Sequence, residues 1–254
     1  GTPTFRCRHE VIVNLPGSDA IWGREIRELL TADEGTIIVG ADSSGNQLRG
    51  LCHYVRNADF TKEVIFGDQH QRNADSLGCS RAVAKSYLYA YLFGAGDAKL
   101  GQVLTGKANA AVGKKSRADF AKGIKGLTEL KDKLSKVWKN TRFGGGEGKI
   151  PGLDGRPIYV ASDHQALNYL LQSAEGITCK AAVSYQMQKI KEEGLRAEAR
   201  LFYHDETAWA CHPDDADRVG QILKESFAEA PKWFGVECMD GGDPSMGSSY
   251  ADVH

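Results

Sequence analysis

The sequence predicts an α+β protein in which a sheet domain is interrupted by a basic helical insertion. Short β-branched or aromatic runs stand at residues 36–41, 157–160 and 199–211, and Lys-rich helical segments fill most of the space between the first two. Charge follows the same division. Residues 81–149 hold 15 Lys+Arg against 5 Asp+Glu, a net +10, and the remainder of the chain carries −11.

The elements follow in order. Thr36-Ile-Ile-Val-Gly-Ala41 reads as a buried strand ending at Asp42, and a helix should begin near Gln47, carrying Leu48, Leu51 and Val55. Residues 81–93 lack Gly and Pro and are rich in Ala, Leu and Tyr, so they predict a helix stopped by Gly94 and Gly96. Lys-rich helices continue to about Asn140. A Gly144–Gly148 loop, a turn at Gly152-Leu-Asp-Gly-Arg156 and a strand Pro157–Val160 come next. Ser162-Asp163 predicts the N-cap of a long helix running to Glu193, with Gly194 as its stop. Ala199–Tyr203 and Thr207–Cys211 predict a hairpin with His204-Asp205-Glu206 at its tip. A helix from Pro213 to Ala230 and an irregular tail complete the chain.

The chain has 254 residues, 41% hydrophobic and 26% charged, the composition of a globular protein with a sizeable core rather than a disordered or collagenous one. Apolar runs such as Thr36–Val39 are too short to span a bilayer, and no charged-then-apolar leader opens the sequence, so no membrane contact and a cytoplasmic location are expected. The six cysteines are scattered without a C-x-x-C pair, which reads as reduced, buried thiols. A +10 segment suits a polyanionic partner, because Lys and Arg that neutralise phosphates release condensed counterions. A solvated helical surface accounts for the same charge equally well.

Two acidic sites stand at strand ends, Asp42 and Asp205-Glu206. Carboxylates brought together by neighbouring strands repel, and a divalent cation such as Mg²⁺ holds them ionised while leaving coordination positions for water and phosphates. Acidic residues at turns are also simply solvated. On the helix at 81–93, Arg81, Lys85 and Tyr89 are spaced i, i+4, i+8, with Phe93 a turn further. Two cations and an aromatic ring on one stripe suit a triphosphate and a stacked base, although an amphipathic helix with snorkelling cations has the same pattern. His164, Asn168 and Gln172 form a second such stripe, opposite Leu167, Leu171 and Ala174. Neutral polar side chains of this kind suit minor-groove acceptors, or plain solvent.

Together these residues resemble the family A (DNA polymerase I-like) DNA polymerases, especially their bacteriophage branch. Val39-Gly-Ala-Asp42-Ser-Ser-Gly-Asn-Gln-Leu-Arg49 resembles motif A, Arg81-x3-Lys85-x3-Tyr89-x3-Phe93-Gly94 motif B, and His204-Asp205-Glu206 motif C. Thr4-Phe-Arg6, Asn14-Leu-Pro16, Gly67-Asp-Gln-His70, Gly152–Arg156, Asn168-x3-Gln172-Ser173 and a terminal His254 support the match in order and spacing.

The resemblance implies a right-hand polymerase palm, an antiparallel sheet with packed helices, with an inserted helical fingers subdomain: palm at 1–60 and 151–254, fingers at 61–150. It implies DNA-directed addition of dNTPs to a primer 3′-hydroxyl by a two-metal mechanism using Mg²⁺, with Mn²⁺ as an alternative. Asp42 and Asp205 would hold the ions, and Glu206 would assist near the primer end. His70, Arg81 and Lys85 would meet the triphosphate, and Tyr89 its sugar and base. Arg6, Arg156, His164, Asn168, Gln172 and His204 would touch primer–template.

Three departures stand out. Gln47 occupies a position where the family usually has a Glu that excludes the ribose 2′-hydroxyl. Phe93 replaces a Tyr. The match starts inside the thumb–palm boundary, with no Asp-x-Glu anywhere in the chain, which implies a separate N-terminal polypeptide carrying thumb and exonuclease. A non-catalytic DNA-binding subunit retaining the fold and a single-subunit RNA polymerase are the competing readings. Retention of Asp42, Asp205 and Glu206 together weighs against the first. Glu206 beside Asp205 and the pattern of the 81–93 helix weigh against the second.

Overall fold

The computed structural model describes residues 2–10, 15–144 and 146–253. Asn14 and His254, two members of the supporting motifs, lie outside them. The chain forms two compact units, residues 1–46 with 174–254, and residues 47–173.

The first unit is built on a sheet of order β4-β5-β1-β6, every neighbouring pair antiparallel. Its strands are β1 (Ile37–Asp42), β4 (Ala197–Tyr203), β5 (Glu206–Cys211) and β6 (Ser245–Gly247). β1 lies in the middle of the sheet and is covered on both faces, which is why it reads as an apolar run from Ile37 to Ala41. Val39 and Ala41 pack with Trp209 and Cys211 against α9 (Ala166–Glu192) and α10 (Ala216–Glu229), through Ala182, Val219, Ile222, Leu223 and Phe227. Ile38 and Ala208 pack on the other face with Tyr250 and Val253.

A buried polar network crosses the first of these layers. Gln186 of α9, fully buried, donates to Thr207 Oγ1 (3.1 Å) and Ser226 Oγ (2.8 Å) and accepts from Trp209 Nε1 (3.0 Å). With both ends of its amide satisfied, the network ties helix and sheet at one register directly beside Glu206. A short helix, α1 (Gly23–Glu28), buries Arg27 with its guanidinium 5.1 Å from the Tyr250 ring centroid.

The second unit comprises α2 (Asn46–Val55, whose first residue belongs to the first unit), α3 (Ala58–Phe66), α4 (Gln69–Leu77), α5 (Arg81–Leu92), α6 (Asp97–Thr105), α7 (Ala110–Gly123), α8 (Leu127–Thr141), a hairpin of β2 (Gly148–Pro151) and β3 (Pro157–Val160), and the first residues of α9. Its centre is aromatic. Tyr87 and Tyr91 of α5 contact Phe120, and the Tyr87 hydroxyl donates to Ser116 (2.9 Å). Trp138 anchors the hairpin by donating its indole N–H to the Val160 carbonyl (2.7 Å).

Several expectations are corrected. Residues 58–77 form two helices, capped by Asn57 and Asp68, where no element is predicted. Gly148 opens a strand instead of ending a loop, because Trp138 and Thr141 of α8 give that strand a surface to pack on. The tail contains β6, which completes the sheet beside β1 although only three residues pair. Glu206 is the first residue of β5 and not part of the hairpin tip, which is His204-Asp205 alone.

Candidate active site

In the first unit, the antiparallel register sets Asp42, the last residue of β1, directly opposite Glu206, the first of β5. Tyr203 pairs with Glu206, so the β4–β5 turn consists of His204 and Asp205, with His204 at φ 53° in the left-handed region. That conformation is costly for a residue other than glycine, and such strain concentrates at functional positions. The Asp205 carbonyl accepts the Ser43 N–H (2.7 Å), which fixes the turn beside the end of β1. Asp42, Asp205 and Glu206 line one cavity of about 400 Å³, with Tyr203, Asp243 and Ser245. Like charges facing each other across a ladder destabilise a sheet, so this placement is not explained by folding alone.

The electrostatics agree. Burial and the neighbouring Glu175 push Asp205 up to about 7, with Asp42 adding to the shift and Arg6 opposing it. Glu175, on α9 and only 1% exposed, forms an ion pair with Arg6. Burial, helped by Arg6 and His9, pushes His204 down to about 4, so its imidazole is neutral at physiological pH. His9, Tyr203 and His204 form a ring cluster with centroids 4.5–5.1 Å apart. Glu206 is buried and accepts a hydrogen bond from the Tyr250 hydroxyl (3.2 Å). Burial and the Glu206 charge raise the Tyr250 phenol, which therefore stays a donor.

In the second unit, Ser80 caps α5 by accepting the Val83 N–H (3.4 Å). The buried side of α5 carries Ala84, Tyr87, Leu88, Tyr91 and Leu92, which leaves Arg81, Lys85 and Phe93 exposed and Tyr89 half-buried. Tyr89 stacks on Phe93 at 6.3 Å, and the His70 ring lies 6.2 Å from Tyr89. Arg81 Nε donates to Asp68 Oδ2 (2.7 Å), which lowers the Asp68 carboxyl and holds the guanidinium at the head of the stripe. Burial, Arg81 and Lys85 lower His70 while Asp68 opposes them. The stripe expected from spacing is therefore a real cluster, joined by His70.

The remaining predicted residues are more dispersed. Gln47 is buried near the start of α2. Asn168 Nδ2 donates to the Phe93 carbonyl (3.3 Å), and Gln172 Nε2 donates to Asn168 Oδ1 (2.8 Å). His164 falls in a single 3₁₀ turn, Asp163–Gln165, ahead of α9, and contacts Ser162 Oγ (3.4 Å). The expected three-residue stripe is thus two residues on one α-helix, because the Ser162-Asp163 start winds tightly before the α-helix begins. Arg156 pairs with Asp154 inside its own turn.

The sequence marks no role for Glu175 or Tyr250, and Asp68 only as part of the Gly67-Asp-Gln-His70 stretch. A charge among Leu171, Ala174 and Cys179 on a buried helix was the available signal for Glu175; nothing local marked Tyr250. Among the described residues no group of three or more His, Cys, Asp or Glu side chains is arranged to hold a metal ion. Mg²⁺ needs only one or two carboxylates when substrate phosphates and water complete its shell, and the donor set here fits that requirement.

An antiparallel sheet with facing carboxylates, in a chain that also carries a helical unit with a cationic stripe, has the palm-and-fingers organisation. The sequence matches the model of DNA polymerase family A over residues 9–239, and the chain belongs to that family. It is 28% identical to the DNA-directed DNA polymerase of Escherichia phage T7 over all of this chain and 40% of that protein. Against the DNA polymerase I of Aquifex aeolicus it is 26% identical, over 82% of this chain and 38% of the relative. The POL domain of Pol1 from M. smegmatis, solved in complex with DNA primer-template and dNTP, has the same fold: TM-score 0.80 at 19% identity, over 95% of this chain and 45% of that one. The chain thus spans about two fifths of the phage T7 relative's length. No described helix is long and apolar enough to cross a membrane.

Proposed function

We propose that this chain is the catalytic portion of a DNA-directed DNA polymerase, extending a primer 3′-hydroxyl with dNTPs and releasing pyrophosphate. One observation carries the reading: Asp42 faces Glu206 across a sheet ladder, with Asp205 in the adjoining turn, inside a family A chain. Asp42 and Asp205 are the residues to hold divalent ions, Mg²⁺ foremost. Such ions, when bound, supply charge neutralisation at the attacking oxygen and at the departing pyrophosphate.

The chain's own residues do the rest. Arg81 and Lys85 neutralise triphosphate oxygens, and neutral His70 adds a hydrogen bond. Tyr89 and Phe93 offer stacked rings to the sugar and base. Gln47, nearly isosteric with Glu, keeps the bulk that excludes a 2′-hydroxyl but lacks its charge. Arg6, Arg156, His164, Asn168, Gln172 and His204 orient the primer–template. In domain terms, residues 1–60 and 151–254 are the palm and 61–150 the fingers.

The relatives are longer than this chain. A thumb and an exonuclease on the N-terminal side of this sequence would complete the enzyme in the cytoplasm. Ile21, Trp22 and Leu29, 87%, 67% and 78% exposed around α1, are apolar surface that such a portion would cover.

The test is primer extension with Mg²⁺ and either dNTPs or NTPs. Template-directed dNTP addition is expected. Preferential NTP use would favour an RNA polymerase, and binding without extension a non-catalytic subunit.

A further inference from the structure

We propose that Gly242 is a positioning residue whose missing side chain lets the Asp42 carboxylate keep its place in the site. The inference rests on the reading of Asp42 as a metal ligand and goes beyond it. After α10 the chain returns past the end of β1. The Asp240 carbonyl accepts the Ser44 N–H (3.0 Å), Gly241 bridges Ser43, and the Gly242 N–H donates to the Asp42 carbonyl (2.8 Å). Lys224 of α10 pins the far side of the loop through Asp243 (2.6 Å).

The two glycines face different neighbours. A methyl group at 241 would strike the main-chain carbonyl of Lys224, whereas one at 242 would overlap Asp42 Oδ1. Neither residue has a positive φ, so position 242 needs empty space and not backbone freedom. A clash with helix backbone has no cheap relief. A clash with a terminal carboxylate oxygen is relieved by turning the carboxylate away. A side chain at 242 should therefore spare the fold and misdirect Asp42, while one at 241 should cost stability.

The same loop holds the Asp42 main chain by the hydrogen bond from the Gly242 N–H to its carbonyl, so the backbone is fixed while the carboxylate occupies the space that the absent side chain leaves. That is the preorganisation a ligand needs, since a displacement of the order of 1 Å at a reacting centre costs about 100-fold in rate.

The experiment compares wild type, Gly242→Ala, Gly241→Ala and Asp42→Ala bound to a dideoxy-terminated primer–template with the next dNTP. Mn²⁺ binding is read from the loss of the free-ion EPR signal, and thermal melting is recorded alongside. Gly242→Ala should melt like wild type but require at least fivefold more Mn²⁺ for half-saturation. Gly241→Ala should show the opposite pattern. If Gly242→Ala itself melts early, combining it with Asp42→Ala should restore the melting temperature, because the clashing oxygen is gone. Wild-type Mn²⁺ binding by a folded Gly242→Ala, or no such restoration, overturns the proposal. Loss of Mn²⁺ binding in Asp42→Ala alongside normal binding in Gly242→Ala would reject this inference alone. Normal binding in Asp42→Ala would reject the metal-ligand reading beneath it.

Discussion

The two units handle charge in opposite ways. The unit of residues 1–46 and 174–254 carries 12 Lys+Arg against 22 Asp+Glu, and it buries two acids beside the site, Glu175 and Glu206, 1% and 6% exposed, while Asp205 is half-buried and Asp42 exposed. The unit of residues 47–173 carries 20 Lys+Arg against 11 Asp+Glu and displays Arg81 and Lys85 on an open helix face. Buried charge is expensive and persists only when something holds it, here Arg6 on Glu175 and Tyr250 on Glu206. Exposed cations cost little and attract polyanions from a distance. Rigid acids suit chemistry at fixed positions. Solvated cations suit capture of a substrate that arrives and leaves.

The contrast can be broken in graded steps. Asp42→Ala should lower single-nucleotide addition by about a thousandfold, the scale of losing a group that stabilises transition-state charge. Thermal melting should stay near wild type, because Asp42 is exposed. Gln186→Leu should act the other way, on the scaffold. It leaves the Trp209 indole N–H without its acceptor and the Thr207 and Ser226 hydroxyls without the amide donor, and should cost about 3 kcal/mol by denaturant unfolding. A stability change below about 1 kcal/mol would mean the network is not what fixes the register beside Glu206.

Tyr250→Phe removes only the hydroxyl on Glu206. Addition should slow several-fold, with about 1 kcal/mol lost in stability. The smallest effect is at the surface. Hydrogen bonds from Arg196 hold the Asp215 carboxyl at about 2, so this pair's contribution is complete above the ordinary carboxylate range and is lost as pH falls through about 2. In Arg196→Gln an NMR titration should show Asp215 returning toward its ordinary value, with activity unchanged.

Much of this organisation is legible in sequence, for identifiable reasons. β1 is legible because a central strand covered on both faces is apolar along its length, here from Ile37 to Ala41 before Asp42. α5 is legible because Gly94 ends it and its cations repeat every four residues. The hairpin is legible because one mixed strand and one apolar strand flank a short polar turn. What escapes depends on partners far along the chain. β6 is three residues that become a strand only against β1. Tyr250 meets Glu206 across 44 positions, and Asp68 reaches Arg81 from a neighbouring helix. Long-range pairing of this kind has no local periodicity to announce it.

The division of labour between the units is tested most directly by single-turnover incorporation across a range of dNTP concentrations, comparing Asp205→Ala with Arg81→Ala. Asp205→Ala should lose the maximal rate by about a thousandfold while its half-saturating dNTP concentration changes little. Arg81→Ala should raise the half-saturating concentration about tenfold and keep most of the maximal rate. If Asp205→Ala retains the wild-type maximal rate, or Arg81→Ala saturates like wild type, the two units do not divide chemistry and capture in this way.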